Sequence, residues 1–270
     1  MLTNWDAPEA SAALSTDEMA NPILKFRPAD KDVSAEPTIP ALTRAQRFYM
    51  PFRRALDFTL ALLLTALAIP IVILAALAVR LTSRGPAFYT QTRTGKNGVP
   101  FTIFKIRTML HNCESLTGPR WTMPGDPRVT IIGWFLRRTH IDELPQLLNV
   151  LKGEMSLIGP RPERPEFVSE LTQAIDDYPL RLAVLPGITG LAQVQLAPDT
   201  EIESVRRKLR YDLYHIAHLG LWLDLRILVA TALHMLGVSF DRLQRLRIVP
   251  GPSKVEVPLQ REPVRQKQAA

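Results

Sequence analysis

From Phe58 to Val79 the chain reads FTLALLLTALAIPIVILAALAV, 22 positions without a charge. A helix of that length covers a hydrocarbon core of about 30 Å, so the pattern predicts membrane insertion. The run lies too far from the N-terminus, is too long and lacks the small-residue cleavage pattern of a secretory signal. Arg44, Arg47, Arg53 and Arg54 precede it, and Arg80, Arg84 and Arg93 follow it. Arginine-rich flanks stay on the cytoplasmic side, and a straight span would leave only one flank there. Pro70, near the middle, lacks a backbone donor and is where a helix would kink and return. The expected element is therefore a re-entrant helical hairpin broken at Pro70; a single kinked crossing is the alternative.

Beyond the apolar run the periodicity changes. Pro86 to Arg107 alternates apolar and polar positions around Gly95-Lys96-Asn97-Gly98, which predicts a short β-hairpin carrying Arg93, Lys96, Lys105 and Arg107. Helical spacing predicts one helix over Val129–Arg138 and another over Asp142–Lys152, closed by Gly153. In the second, Leu144, Leu147, Leu148 and Leu151 form a core-packing stripe. Met155–Ile158 reads as a short strand, followed by the stiff turn Gly159-Pro160-Arg161-Pro162 and, later, a second turn at 186–190. Glu201–His218 reads as a helix with a basic stripe, and the apolar Leu221–Val238 as a helix at a membrane interface.

The expected fold class is α+β and mostly helical: a re-entrant membrane helix hairpin joined to a small cytosolic domain with a short β-hairpin and interfacial amphipathic helices. The expected divisions are an acidic, disordered leader over 1–43, the anchor over 44–84, a catalytic domain over 85–240 and a basic, proline-rich tail over 241–270. The leader holds seven acidic and three basic residues; the tail holds seven basic and three acidic ones. These ends cancel, so the core carries about the whole chain's formal charge of +7 and needs acidic partners. Nucleic acid, anionic lipid and phosphorylated small molecules all qualify on charge. The single cysteine, Cys113, excludes an intrachain disulfide framework and a cysteine-built zinc site. His215 and His218 stand three apart without a third ligand at a compelling spacing, and no phosphate-loop or dinucleotide glycine signature is present.

Asp142 stands where a helix N-cap would stand, with Glu143 a favourable first-turn charge, and capping alone would explain both. Arg137 and Arg138 just upstream supply cations for a phosphate, and a carboxylate beside them suits metal binding or attack on phosphorus. Adjacent residues on a helix point in different directions, so the pair divides into a nucleophile and an assistant.

The segments RGPAFYTQTRTGKNGVPFTIFKIRTM, DPRVTIIGWFLRRTHIDELPQLLNVLKGEMSLIGPRP and PGITGLAQV follow the apolar run in this order. They resemble the bacterial sugar transferase family of monotopic phosphoglycosyl transferases, over roughly Arg53 to Met235. The resemblance implies transfer of a sugar 1-phosphate from a UDP-sugar to undecaprenyl (polyprenyl) phosphate, with UMP released, at the cytoplasmic face of the bacterial inner membrane. It implies a phosphosugar-aspartyl intermediate on Asp142, with Glu143 as partner, Mg²⁺ held by Asp142 and Glu143, and phosphate contacts from Lys105, Arg107, Arg137, Arg138 and Arg161. Membrane lipids are implied partners, nucleic acid is not, and a homodimer stays open. A non-enzymatic membrane-anchored anion binder or scaffold would share the basic core but have no need of Asp142.

Overall fold

A computed structural model describes residues 43–114, 118, 123, 125–197 and 201–255. The expected acidic leader, apart from its last residue, and the distal part of the basic tail lie outside the described residues. The first element is a single long helix, α1 (Arg44–Thr82). It starts at a capping box in which Gln46 N donates to Thr43 Oγ1 at 3.3 Å and Thr43 N donates to Gln46 Oε1 at 2.9 Å. Pro70 sits inside α1 without interrupting it, so the expected break between two arms is not seen as an interruption of the helix.

Seven buried positions of α1, Gln46, Arg53, Asp57, Ala61, Ala68, Ala75 and Val79, recur at intervals of four or seven and form one stripe. Ala61 and Ala68 pack with Phe101, Ile103, Leu147 and Val150, while Ala75 and Val79 pack with Ile106 and Leu136. Small residues let the rest of the chain approach the helix closely. The other faces leave Leu62, Leu63, Leu67, Ile73, Leu74 and Leu77 exposed. That is an apolar surface too extended for a water-facing helix. Polar contacts secure both ends: Arg54 Nη1 donates to the Val150 carbonyl at 3.0 Å, and Arg107 Nη2 donates to the Ser83 carbonyl at 3.1 Å.

The hairpin is present as β1 (Phe88–Thr94) and β2 (Pro100–Ile106), antiparallel from Phe88 opposite Ile106 to Thr94 opposite Pro100. Its turn uses positive φ at Asn97 and Gly98, where asparagine and glycine are the tolerant residues. Helix α2 (Ile131–Arg138) is capped by Thr130, whose hydroxyl accepts from Gly133 N at 2.9 Å.

The expected helix over Asp142–Lys152 divides in two: a 3-10 segment, Ile141–Gln146, runs into α3 (Leu147–Lys152), and Gly153 closes it in the left-handed conformation. Asp142 is therefore inside the 3-10 segment and does not cap it. His140, with φ 56°, precedes the segment. Pro145 favours this division, because it has no amide to donate back along an α-helix.

Strand β3 (Ser156–Ile158) pairs in parallel with β4 (Gly187–Thr189), so the second expected turn is in part a strand. A Cβ on Gly187 would stand 2.0 Å from Gly159 N, which makes glycine obligatory at this crossing. Helix α4 (Pro165–Ala174), a 3-10 segment at Tyr178–Ala183 and α5 (Ile202–Ala217) build a second apolar cluster around Tyr178 and Leu209. Helices α6 (Leu221–Met235), α7 (Phe240–Arg245) and α8 (Pro252–Val255) follow. Leu243, Val249 and Val255 are buried in the main core. The chain therefore does not leave the domain at residue 241, as a free tail would, because these apolar side chains hold it there.

Candidate active site

The site forms where β2, the 3-10 segment after α2 and the turn after β3 converge. Asn149 of α3 fixes the first wall. Its Oδ1 accepts from Phe104 N at 3.2 Å and its Nδ2 donates to the Thr102 carbonyl at 2.7 Å, taking the place of a neighbouring strand on the free edge of β2. Lys105, the next residue of that strand, donates from Nζ to Glu143 Oε1 at 2.7 Å. Arg161, set by the stiff Gly-Pro-Arg-Pro turn, reaches both Glu143 oxygens, at 2.5 Å and 3.3 Å. Its own carbonyl accepts from Arg181 Nη2 at 2.9 Å, and Arg181 pairs with buried Asp212 at 2.8 Å, so Arg161 is held from behind.

Asp142 and Glu143 are both buried but stand in different electrostatic surroundings. Burial alone would raise the Glu143 pKa, yet Arg161 and Lys105 hold it well below the ordinary carboxylate range. Asp142 moves the other way: burial raises its pKa, the adjacent Glu143 charge adds to the rise, and Lys105, Arg137 and Arg161 oppose it. Burial lowers the Lys105 pKa against the pull of Glu143. Buried Asp142 Oδ1 has no hydrogen-bond partner among the described residues. One carboxylate is committed to cations, and the other is buried with an oxygen to spare.

Arg137 joins the group, with its charge acting on Asp142 and its Nε donating to Thr108 Oγ1 at 2.8 Å. Two expected cations do not join. Arg107 is buried with its guanidinium on the carbonyls of Pro86, Met109, Ser83 and Gly85, where it fastens the end of α1 to the hairpin. Arg138 is exposed, and its guanidinium lies 5.3 Å from the centre of the Trp134 ring. Adjacent helix residues diverge by about 100°, so Arg137 and Arg138 take opposite assignments.

No group of three or more His, Cys, Asp or Glu side chains suited to a metal occurs among the described residues. His215 donates to or accepts from Asp224 Oδ1 at 2.8 Å, while His218 stacks on Tyr214. Of the expected pair of acidic metal ligands, Glu143 has both oxygens engaged by Lys105 and Arg161, and Asp142 has one buried oxygen without a partner. The unpartnered Asp142 Oδ1 still fits a Mg²⁺ that keeps most of its waters and takes its remaining ligands from substrate phosphates. Asn149 and Thr108 went unnoticed in the sequence, and both act through contacts that no local motif displays.

A long, exposed apolar helix docked along a small domain, beside a buried carboxylate framed by three cations, is the arrangement expected of a membrane-associated protein that handles anions. Comparison with known proteins gives that class a family. The model of the bacterial sugar transferase family matches residues 48–238, and the chain belongs to that family.

A UDP-glucose:undecaprenyl-phosphate glucose-1-phosphate transferase of Caulobacter vibrioides is 47% identical over 181 residues, covering 66% of this chain and 67% of its own. A UDP-N-acetylgalactosamine-undecaprenyl-phosphate N-acetylgalactosaminephosphotransferase of Aeromonas hydrophila is 40% identical over 183 residues, 68% of this chain and 43% of its own. A UDP-glucose:undecaprenyl-phosphate glucose-1-phosphate transferase of Escherichia coli is 40% identical over 183 residues, 66% of this chain and 39% of its own. The chain thus spans about two thirds of the first relative and about two fifths of the other two.

Proposed function

We propose that this chain transfers a sugar 1-phosphate from a UDP-sugar to undecaprenyl phosphate and releases UMP, as the initiating step of a surface polysaccharide. The observation that carries the reading is the division between the two carboxylates: Glu143 is neutralised by Lys105 and Arg161, and Asp142 keeps a buried oxygen without a partner. The relatives' names supply the substrates.

In the first half-reaction a carboxylate oxygen of Asp142 bonds to the β-phosphorus of the donor as the bond from that phosphorus to the bridging oxygen breaks. UMP leaves with the electron pair. A phosphate oxygen of the lipid then bonds to the same phosphorus, and the bond to Asp142 breaks to restore its carboxylate. Lys105, Arg137 and Arg161 offset charge on the phosphoryl oxygens, and Glu143 holds two of those cations in place. Asp142, with its unpartnered Oδ1, would hold a Mg²⁺, which when bound would supply further charge neutralisation.

The membrane reading draws on α1. A straight crossing would put Arg54 and Ser83 on opposite sides of about 30 Å of hydrocarbon, yet contacts from one domain hold both. This favours entry and exit on one face, which we assign to the cytoplasmic side of the inner membrane. Single cysteines at Arg44 and Arg84, placed in a Cys113→Ser background, should react with an impermeant maleimide from the same side. Reaction from opposite sides refutes this topology.

The activity is tested with purified protein, Mg²⁺ and a panel of UDP-sugars, with UMP measured with and without undecaprenyl phosphate. Turnover is expected with acceptor. Without it, at most one UMP per site and a phosphosugar adduct on Asp142 are expected, and neither in Asp142→Asn. A fully active Asp142→Asn protein would overturn the mechanism and favour a non-catalytic anion binder.

A further inference from the structure

The turn Gly159-Pro160-Arg161-Pro162 has to place Arg161 on Glu143, yet two of its four residues are prolines with no amide to donate. Its backbone is therefore located largely through its own carbonyls and those flanking it, which are held from other elements. The Ile158 carbonyl accepts from Arg53, the Pro160 carbonyl from Gly187 N at 3.0 Å and the Arg161 carbonyl from Arg181 Nη2 at 2.9 Å. The Pro162 carbonyl accepts from Arg93 Nη1 at 3.1 Å, and the Glu163 carbonyl from Thr94 N at 2.9 Å.

The last two bonds come from the end of β1. Arg93 is aimed there by its neighbour, since its Nη2 donates to Gln91 Oε1 at 2.7 Å, two residues back on the same face of the strand. Arg93 Nη1 also stands 3.6 Å from Glu163 Oε2, and only 18% of the side chain is exposed. Strand β1 is paired along its whole length with β2, which carries Lys105. One hairpin thus bears one of the two cations on Glu143 and grips the chain just beyond the other.

We propose that Arg93 is a positioning residue for the transfer, gripping the Pro162 carbonyl so that Arg161 and Lys105 keep a fixed separation around Glu143 and the donor's phosphates. The inference rests on the transfer reading above. The bonds of Arg93 go to Gln91 and Pro162, so its influence passes through Arg161. Arginine suits the task because its planar fork makes two directed bonds at once, which the single ammonium of lysine does not reproduce. A released turn lets Arg161 drift, and a misplacement of about 1 Å costs about 100-fold in rate.

The test is a double-mutant cycle on the UMP burst, measured by rapid quench without acceptor. Arg161→Met should slow the burst about 100-fold, the typical loss for one such donor. Arg93→Met should slow it about 10- to 100-fold by displacing Arg161. Joined to Arg161→Met, Arg93→Met should slow it by no more than about twofold further, because the residue it acts through is already gone. Arg93→Lys, which keeps the charge and loses the fork, should recover little of the rate. Should Arg93→Met not fold, Gln91→Leu, which leaves the guanidinium in place without its guide, runs the same cycle with a smaller slowing.

Effects that multiply in the double variant refute the proposal, since Arg93 then acts independently of Arg161. Full recovery in Arg93→Lys also refutes it, and makes Arg93 a source of charge only. An unchanged burst in Arg93→Met refutes it outright. A wild-type protein with no burst and no adduct instead refutes the transfer reading itself.

Discussion

Replacing Gly133 with alanine should impair the site through a single methyl group placed outside it. A Cβ at this position would stand 1.9 Å from the Thr108 carbonyl oxygen, 2.6 Å from its carbon and 2.8 Å from its Cα. All three obstacles are backbone, so no rotamer change relieves them. Reaching even the 3.0 Å limit of real contacts requires α2 to withdraw by about 1 Å. Thr108 also accepts from Arg137 Nε through its hydroxyl, so withdrawal of α2 strains the bond that places Arg137 near Asp142.

Overpacking of this kind costs about 1–3 kcal/mol, and a 1 Å misplacement of a reacting group costs about 100-fold in rate. Gly133→Ala should therefore lower the melting temperature by several degrees and cut UMP release by about two orders of magnitude. Gly98→Ala is the control. Its φ is +78°, but a Cβ there meets nothing within 4 Å, so it should cost about 1 kcal/mol in stability and leave turnover unchanged. A Gly133→Ala protein active within threefold of wild type would refute the claim that close approach of α2 to Thr108 positions Arg137.

The adjacent carboxylates should respond oppositely to neutralisation. Asp142, whose folded pKa is raised, carries a stability cost that is full above that pKa and absent below the ordinary aspartate value, so Asp142→Asn should melt higher at neutral pH. Glu143, whose folded pKa is depressed, contributes stability that is full above the ordinary glutamate value and lost as pH falls through the folded pKa. Glu143→Gln should thus melt lower at neutral pH, with the gap closing in acid below about pH 4.5. Scanning calorimetry across pH reads both signs, and equal signs at neutral pH would refute the division. The UMP burst should fall on acidification at a higher pH than an unperturbed aspartate requires, and a burst still at full size near pH 4 would contradict this. Arg53→Met should strand part of the charge of Asp224, which pairs with Arg53 at 2.9 Å while keeping His215 and Tyr49. Removing one partner of so buried a pair costs about 3 kcal/mol, a fall of roughly 6–12 °C in melting temperature, and an unchanged melt would exclude that pairing.

The candidate site was legible where its chemistry runs along the chain and illegible where it depends on the end of an element. Lys105 and Arg107 share one motif and would share one face of a continuing strand, so equal roles were a reasonable expectation. Strand β2 ends at Ile106, however, and Arg107 turns to the end of α1 instead. Arg137 and Arg138 part for the corresponding helical reason. The ion pairs of Glu143 were hidden for another reason, because its cations are remote in sequence, 38 positions away for Lys105 and 18 for Arg161. Only the fold brings them onto its two oxygens.

The long helix shows a different kind of oversight, because the missing information was present in the letters. Hydropathy and Pro70 direct attention to how α1 meets the membrane. Ala61, Ala68 and Ala75, spaced seven apart within the apolar run, mark a face built for close packing against protein. The same stripe reaches Arg53 and Asp57 on one side and Val79 on the other, all buried. Asp57 accepts from Ser156 Oγ at 2.7 Å and from Leu157 N at 3.2 Å. Those bonds tie the helix to β3, which leads directly into the turn that carries Arg161. A shift of α1 would therefore move a cation of the site, so the surface offered to lipid and the position of Arg161 are set by opposite faces of one helix.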